Sequence, residues 1–292
     1  LSDTVQRPKT KDPRPTTWAH FLRNIWARIN DHNVIGRAAQ LSYYFLLALF
    51  PLLIFLVTLL GYFATAGSQL QDSLLSYLAR VMPYSAVTLV HTTLSEVTAS
   101  KGSGKLSFSL LAALWVASSG MGAISDTLNT AYDVRETRSW WKVRLISVAL
   151  TIALAVLILT ALAIVLYGGK MGDAIATRVG LGTVFSVTWH ILQWPIMLFF
   201  VYLTFELIYY FGPNHERHGW RWLSPGTFSG VALWILISFG FRIYLHFFNS
   251  YSLTYGSLGA LIVLMLWFYM TGIAVLVGGE INSELEGEKR KP

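Results

Sequence analysis

The sequence predicts an all-α, polytopic membrane bundle of six transmembrane helices with both termini in the cytoplasm, and three observations lead there. The first is a run of 21 residues, Leu258 to Gly278, without a charged side chain. At about 1.5 Å per residue it covers roughly the 30 Å hydrocarbon core of a bilayer. The second is composition: 54% of the 292 residues are hydrophobic and 13% are charged, whereas soluble domains carry about a quarter charged. Lipid leaves only helices or closed barrels to satisfy the backbone, and these apolar runs are too long for barrel strands. The third is where the positive charge lies. With both termini inside, 16 of the 22 Lys and Arg fall on cytoplasmic segments and 5 on outer ones, with Arg242 inside the fifth span. That asymmetry follows the positive-inside rule, and an odd number of spans would break it.

Residues 1–15 place Arg7, Lys9, Lys11 and Arg14 among three prolines with no apolar periodicity, which predicts a disordered basic tail. No cleavable signal peptide is expected. Trp18, Leu22, Ile25 and Ile29 then share a helical face, with Arg23 and Arg28 available to anionic headgroups, which predicts an interfacial helix. The membrane domain is expected over 16–285, with spans at about 38–63, 106–131, 145–167, 184–211, 225–248 and 258–280 and a charged tail over 286–292. Pro51 should kink the first span by freeing the Leu47 carbonyl, and Pro195 is placed to bend the fourth.

Between the first two spans, about Ala64 to Lys105, helical spacing of Leu and Val broken near Pro83 predicts two amphipathic helices along the outer surface. Ser118, Gly122, Ser125 and Asn129 form a small polar stripe on the second span. Arg135, Arg138, Lys142 and Arg144 beside Trp140 and Trp141 read as a headgroup anchor for the third. Tyr167-Gly168-Gly169-Lys170 reads as a helix end. Gly272 and Gly279, two turns apart, offer a flat stripe to a neighbouring helix.

Ionisable groups in hydrocarbon are costly, so each needs a partner or a watery cavity. Here they fall at two depths. Arg37, Gln40, Asp126, Asn129, Glu206 and Glu280 lie near the inner ends of their spans, and Arg242 and His246 lie toward the outer side with His190 and Gln193. One reading is a polar path, with Arg242 attracting an anionic headgroup and the inner ring gating or coupling to protons. The other is structural: Arg37 neutralises Glu206 or Glu280, and Arg242 snorkels to outer phosphates.

Enzyme signals are weak. The chain has no cysteine, which removes disulfides, thiolate metal sites and cysteine nucleophiles. His215-Glu216-Arg217-His218 lacks the spacing of a helical H-E-x-x-H zinc site, and no P-loop is present. No catalysis, cofactor or metal is therefore expected. The net charge of +7 is explained by membrane topology, so membrane lipids rather than nucleic acid are the expected partners.

Several stretches together resemble the YihY/BrkB family of bacterial inner-membrane proteins: Arg37-Ala38-Ala39-Gln40-Leu41-Ser42-Tyr43-Tyr44 leading to Phe50-Pro51, Asp126-Thr127-Leu128-Asn129 before a basic Trp-containing link, Phe211-Gly212-Pro213-Asn214, Tyr255-Gly256-Ser257-Leu258-Gly259 and Gly279-Glu280-Ile281-Asn282. The resemblance runs from about Trp18 to Leu285. It implies multi-span proteins with envelope functions, including transport of lipids or lipopolysaccharide precursors, and it marks Gln40, Asp126, Asn129, Pro213, Asn214, Tyr255, Gly256 and Glu280 as motif positions. Its former label, ribonuclease BN, is regarded as a misassignment. The expectation is thus a transporter or flippase-like protein for an amphipathic, anionic envelope component, with a scaffold or receptor for envelope protein partners, or a cytoplasmic-face nuclease, as alternatives.

Overall fold

The computed structural model describes residues 18–63, 92, 104–179, 182–214, 224–247 and 257–289. The expected basic tail, the outer amphipathic helices, His215–His218 and Tyr255-Gly256 lie outside the described residues. Among the described residues the chain forms helices α1 (Trp18–Asp31), α2 (Val34–Phe63), α3 (Gly104–Ala131), α4 (Trp140–Val179), α5 (Gly182–Phe211), α6 (Pro225–Phe247) and α7 (Ser257–Lys289). Four of them contain segments long and apolar enough to cross a membrane: Trp140–Ala161, Val187–Phe211, Pro225–His246 and Leu261–Glu286. Pro51 and Pro195 lie inside α2 and α5, and neither ends its helix.

One helix boundary differs from expectation. α4 continues through Gly168-Gly169 to Val179 instead of ending at Tyr167. Two glycines cost a helix about 1 kcal/mol each, less than breaking the backbone hydrogen bonds of a turn at a lipid boundary. α7 likewise stays helical to Lys289, into the stretch read as a charged tail.

The long helices close into a ring. α7 packs on α2 and α6, α2 on α3, α3 on α4, α4 on α5, and α5 more lightly on α6, while α1 lies against α7 and α2. The core gathers near one end of this ring. It comprises Val34, Ala38 and Leu41 of α2, Met121, Ile124 and Leu128 of α3, Phe205, Ile208 and Tyr209 of α5, and Val275 and Leu276 of α7. A smaller cluster of Phe55, Leu114 and Ala155 continues it along α2, α3 and α4. Farther along α5 and α6, Ile191, Trp194, Leu236 and Phe239 are exposed.

Small residues permit the close contacts. Gly272 sits on the backbone of Ala38 in α2, where an added Cβ would lie 3.3 Å from the Ala38 Cα. Gly279 faces Leu128 of α3, and Gly278 meets Tyr209 and the backbone of Gly226 and Gly230. The expected glycine stripe therefore serves two neighbours, α2 and α3, and a third glycine serves α5 and α6. On α3, Ser118, Ser125 and Asn129 are buried, and Gly122 lies 3.5 Å, by its added Cβ, from the hydroxyl of Ser147 on α4.

Gly278→Ala should lower the stability of the purified protein by about 1–3 kcal/mol through overpacking. Gly240, with nothing within 4 Å, is the control. Gly240→Ala should leave the thermal unfolding midpoint unchanged or raise it, and equal loss in the two variants would contradict the packing assigned to Gly278.

Candidate functional site: the polar end of the bundle

The C-terminal turns of α3, α5 and α7, the N-terminal turns of α6 and all of α1 meet at the end of the ring where the core is densest. Two left-handed residues shape this end. Asn33, at φ 48°, closes α1, and its carbonyl and side chain accept the Arg37 and Gly36 N–H groups at the start of α2. Asp133, at φ 53°, closes α3, with Asp133 N–H donating to Thr130 and Val134 N–H to Asn129. Asn and Asp tolerate this conformation better than other residues with a Cβ.

Glu280 of α7 lies at the centre and is fully buried. Arg28 Nε donates to its Oε2 at 2.9 Å, and a nitrogen of His32 lies 2.7 Å from its Oε1. The same two α1 residues reach Asp133, Arg28 at 3.0 Å and His32 at 3.1 Å. Arg28 also donates to the Ala131 carbonyl at 2.7 Å and to Ser283 at 2.9 Å, and Asn24 donates to Glu284 at 3.0 Å. Burial opposes the charge on Arg28, but Glu280 and Asp133 more than offset this and hold its guanidinium above its ordinary range. α1 is thereby tied to the ends of α3 and α7.

A second cluster surrounds Glu206 of α5. Ser224 caps α6, its Oγ accepting the Thr227 N–H at 3.2 Å, and Pro225 follows at the first helical position. Thr227 donates to the Glu206 carboxylate at 2.7 Å and Ser224 at 3.2 Å. Asn282 of α7 joins in, accepting the Gly226 N–H at 2.8 Å and donating to Ser224 at 3.2 Å. Glu206 thus lies at the positive end of the α6 dipole, which favours a carboxylate there.

The third cluster fastens the α3–α4 link to the end of α5. Asn129 donates to Glu136 at 2.9 Å and accepts the Asn214 N–H at 2.6 Å. Arg138 grips Glu136 and donates to the Gly212 carbonyl at 2.9 Å, while Asn214 donates to Thr137 at 2.8 Å. The hydrogen bond from Arg138 carries the Glu136 carboxyl down to about 2 against the opposing effect of burial, with Asn129 assisting.

The sequence-predicted residues divide accordingly. Glu280, Glu206 and Asn129 enter the polar network. Arg37 does not reach either glutamate, and its Nε donates to the His32 carbonyl at 3.0 Å. Gln40 and Asp126 are exposed, and Arg242 and His246 are exposed on the far half of α6. The cation that meets Glu280 is Arg28, assigned from sequence to headgroups. The signal for it was present: Ile25, Arg28, Ile29 and His32 share the spacing of one buried helical face. Arg138 also turns inward from the expected headgroup anchor, its side chain 8% exposed. Arg144 stacks on Trp115 at 4.2 Å, so that anchor is an aromatic and cationic cluster with Trp140 and Trp141.

Residues 25–292 match the family described as virulence factor BrkB. The chain belongs to the BrkB family. Among its relatives, a putative ribonuclease-like protein YfkH of Bacillus subtilis (strain 168) is 39% identical, over 93% of this chain and 97% of that protein. UPF0761 membrane proteins of Xanthomonas campestris pv. campestris (strain B100) and Stenotrophomonas maltophilia (strain K279a) are each 26% identical, over 94% and 93% of this chain. The chain spans 62% of the length of these two relatives. No solved structure matches. With these membrane-protein relatives and its apolar helices, this BrkB chain is a multi-pass bacterial membrane protein, and the BrkB match takes in the three polar clusters apart from Asn24.

Two outcomes test the network. Arg28→Met should cost about 3–5 kcal/mol by leaving the buried Glu280 carboxylate with His32 as its remaining partner from α1, and adding Glu280→Met should restore at least half of it. Thermal unfolding of the single and double variants measures both. Glu136→Gln should lose about 1–2 kcal/mol at pH 7, allowing for solvent screening. A lowered carboxyl stabilises above its unfolded value and stops doing so as pH falls, so the gap from wild type should close on acidification toward about 2.

Proposed function

We propose that this protein is an inner-membrane transporter or flippase-like protein that moves an amphipathic, anionic lipid or related envelope component through six spans, with both termini cytoplasmic. α2 and α3, at 30 and 28 residues, join the four apolar segments as spans. Each is long enough, at about 40 Å or more, to cross a bilayer. The Lys and Arg asymmetry supports a cytoplasmic position for the polar end.

The observation that carries the reading is the contrast between the two ends. The inner end is sealed by hydrogen-bonded clusters, whereas the far halves of α5 and α6 pack lightly and expose apolar surface around an arginine. From the Glu206–Thr227 contact, 16 residues along α5 lead back to His190 and 15 along α6 lead forward to Arg242. The two reach the same level, roughly 23 Å away. His190 lines an open apolar depression of about 670 Å³ with Val187, Ile191, Trp194 and Pro195. Arg242 is exposed, with no ion pair among the described residues. In this reading Arg242, with His246 beside it, holds the phosphate or carboxylate of an amphiphile whose chains lie along α5 and α6. Glu206, Glu280, Asn129 and Arg37 keep the cytoplasmic side shut, and Gln40 and Asp126 face outward at the same end.

The name of the Bacillus relative raises a nuclease alternative. At the polar end, however, Asp133, Glu280 and Glu284 are already engaged by Arg28, His32 and Asn24, which disfavours these three as ligands of a catalytic metal.

Reconstitution in liposomes with labelled anionic lipids tests transport. Movement above that of empty vesicles is expected, and Arg242→Ala should reduce it several-fold with folding yield unchanged. No movement, with or without a proton gradient, together with recovery of a stoichiometric envelope protein, would assign the scaffold role instead. Cleavage of RNA that survives stringent purification and is lost in Asp126→Ala would assign the nuclease role.

A further inference from the structure

Arg28 and His32 bridge the same two carboxylates, one oxygen each. Arg28 takes Glu280 Oε2 at 2.9 Å and Asp133 Oδ2 at 3.0 Å, while His32 places Nδ1 2.7 Å from Glu280 Oε1 and Nε2 3.1 Å from Asp133 Oδ1. The four side chains form a closed ring linking α1, the α3–α4 link and α7. A carboxylate has no hydrogen to offer, and a neutral imidazole carries a single N–H. Neutral His32 therefore satisfies one of its two neighbours, and only the imidazolium satisfies both.

Charge points the same way. The groups facing His32 are Arg28 on its own helix, Glu280 on α7 and Asp133 on the link, with Glu284 on the far side of Arg28 at 3.9 Å. From α2, Arg37 touches only the His32 carbonyl. With the imidazolium, two cations face two anions around the ring, and without it one cation faces two. The His32 side chain is 16% exposed and Asp133 is 60% exposed, so water reaches the ring from the Asp133 side. Beyond this ring α1 is held by Arg28 to the Ala131 carbonyl and Ser283, by Asn24 to Glu284 and by buried Ile25, while its Leu22 and Trp26 are 63% and 67% exposed.

We propose that a proton on His32 operates the attachment of α1 to the bundle. Protonated, the ring is complete and α1 is clasped across the ends of α3 and α7. Deprotonated, the ring opens at the contact between His32 and Asp133, the hold falls to Arg28 and Asn24, and α1 undocks more readily toward the membrane surface, which its Leu22 and Trp26 face suits. Because only the imidazolium can donate to both carboxylates, docking is strongest in acid and weakens toward alkaline pH. The inference concerns α1 alone and holds whether or not the protein transports.

The absence of cysteine from the sequence makes the test direct. Spin labels at Ala27→Cys and Ser139→Cys, both exposed positions, report the distance from α1 to the α3–α4 link in full-length protein in lipid nanodiscs. Between about pH 6 and pH 8.5 the released-to-docked ratio should rise about tenfold. His32→Gln should remove that response. Asp133→Asn, which keeps shape and tolerance of the left-handed backbone, should reduce it to less than half and decides the matter if His32→Gln does not fold. A wild-type distance distribution indifferent to pH, or a response that persists at full size in a folded variant, would overturn the proposal.

Discussion

The structure depends on the burial of one carboxylate. Glu280 is entirely out of solvent near the end of the central helix, and a lone charge there would cost several kcal/mol. Its two oxygens are satisfied from α1, a 14-residue helix too short to persist alone in water. The dependence is mutual. Glu280 requires Arg28 and His32, and α1 owes its place to Glu280. Since Arg28 and His32 also hold Asp133, the same interaction fixes the turn by which α3 ends and thereby the start of the link to α4.

Around that point the polar end is rigid because each cluster shares residues or turns with the next. Asn282, two residues beyond Glu280, meets the cap of α6, and that cap feeds Glu206. Asn129 and Asp133 lie on the last turn of α3 and just past it, and they join the Glu280 and Arg138 clusters. Glycines let α6, α2 and α3 approach α7 closely enough for these short bonds to form. Away from this end α5 and α6 pack more lightly and expose apolar side chains such as Ile191, Trp194, Leu236 and Phe239. In a membrane, apolar surface gains little by facing protein instead of lipid. The molecule is therefore tied by polar contacts at one end and packed more lightly at the other.

Much of this was legible in the sequence. The long apolar runs, the helix starting at Trp18, the closeness of glycines on the last helix and the polar stripe on α3 correspond to described elements. The resemblance to BrkB proteins stands on the match over residues 25–292. Reading failed where the question was which groups meet. Arg37 was set against Glu280 because both lie at inner span ends, yet Arg28 takes that place, one turn before His32 on the same face. Gly168-Gly169 was read as a stop, yet α4 passes through it.

By itself the sequence determined the medium and the class. Whether a segment prefers lipid or water is a sum over its own side chains, and helical period and Lys and Arg placement are read from one strand of text. The tertiary structure alone decided the partners: which arginine neutralises the buried glutamate, which helix each glycine admits, and that a histidine stands between two carboxylates. The polar pairs among them are separated by 101 to 252 residues along the chain, at distances near 3 Å. Hydrogen bonds and ion pairs fall off over that scale, so only coordinates can say which pairs come within it.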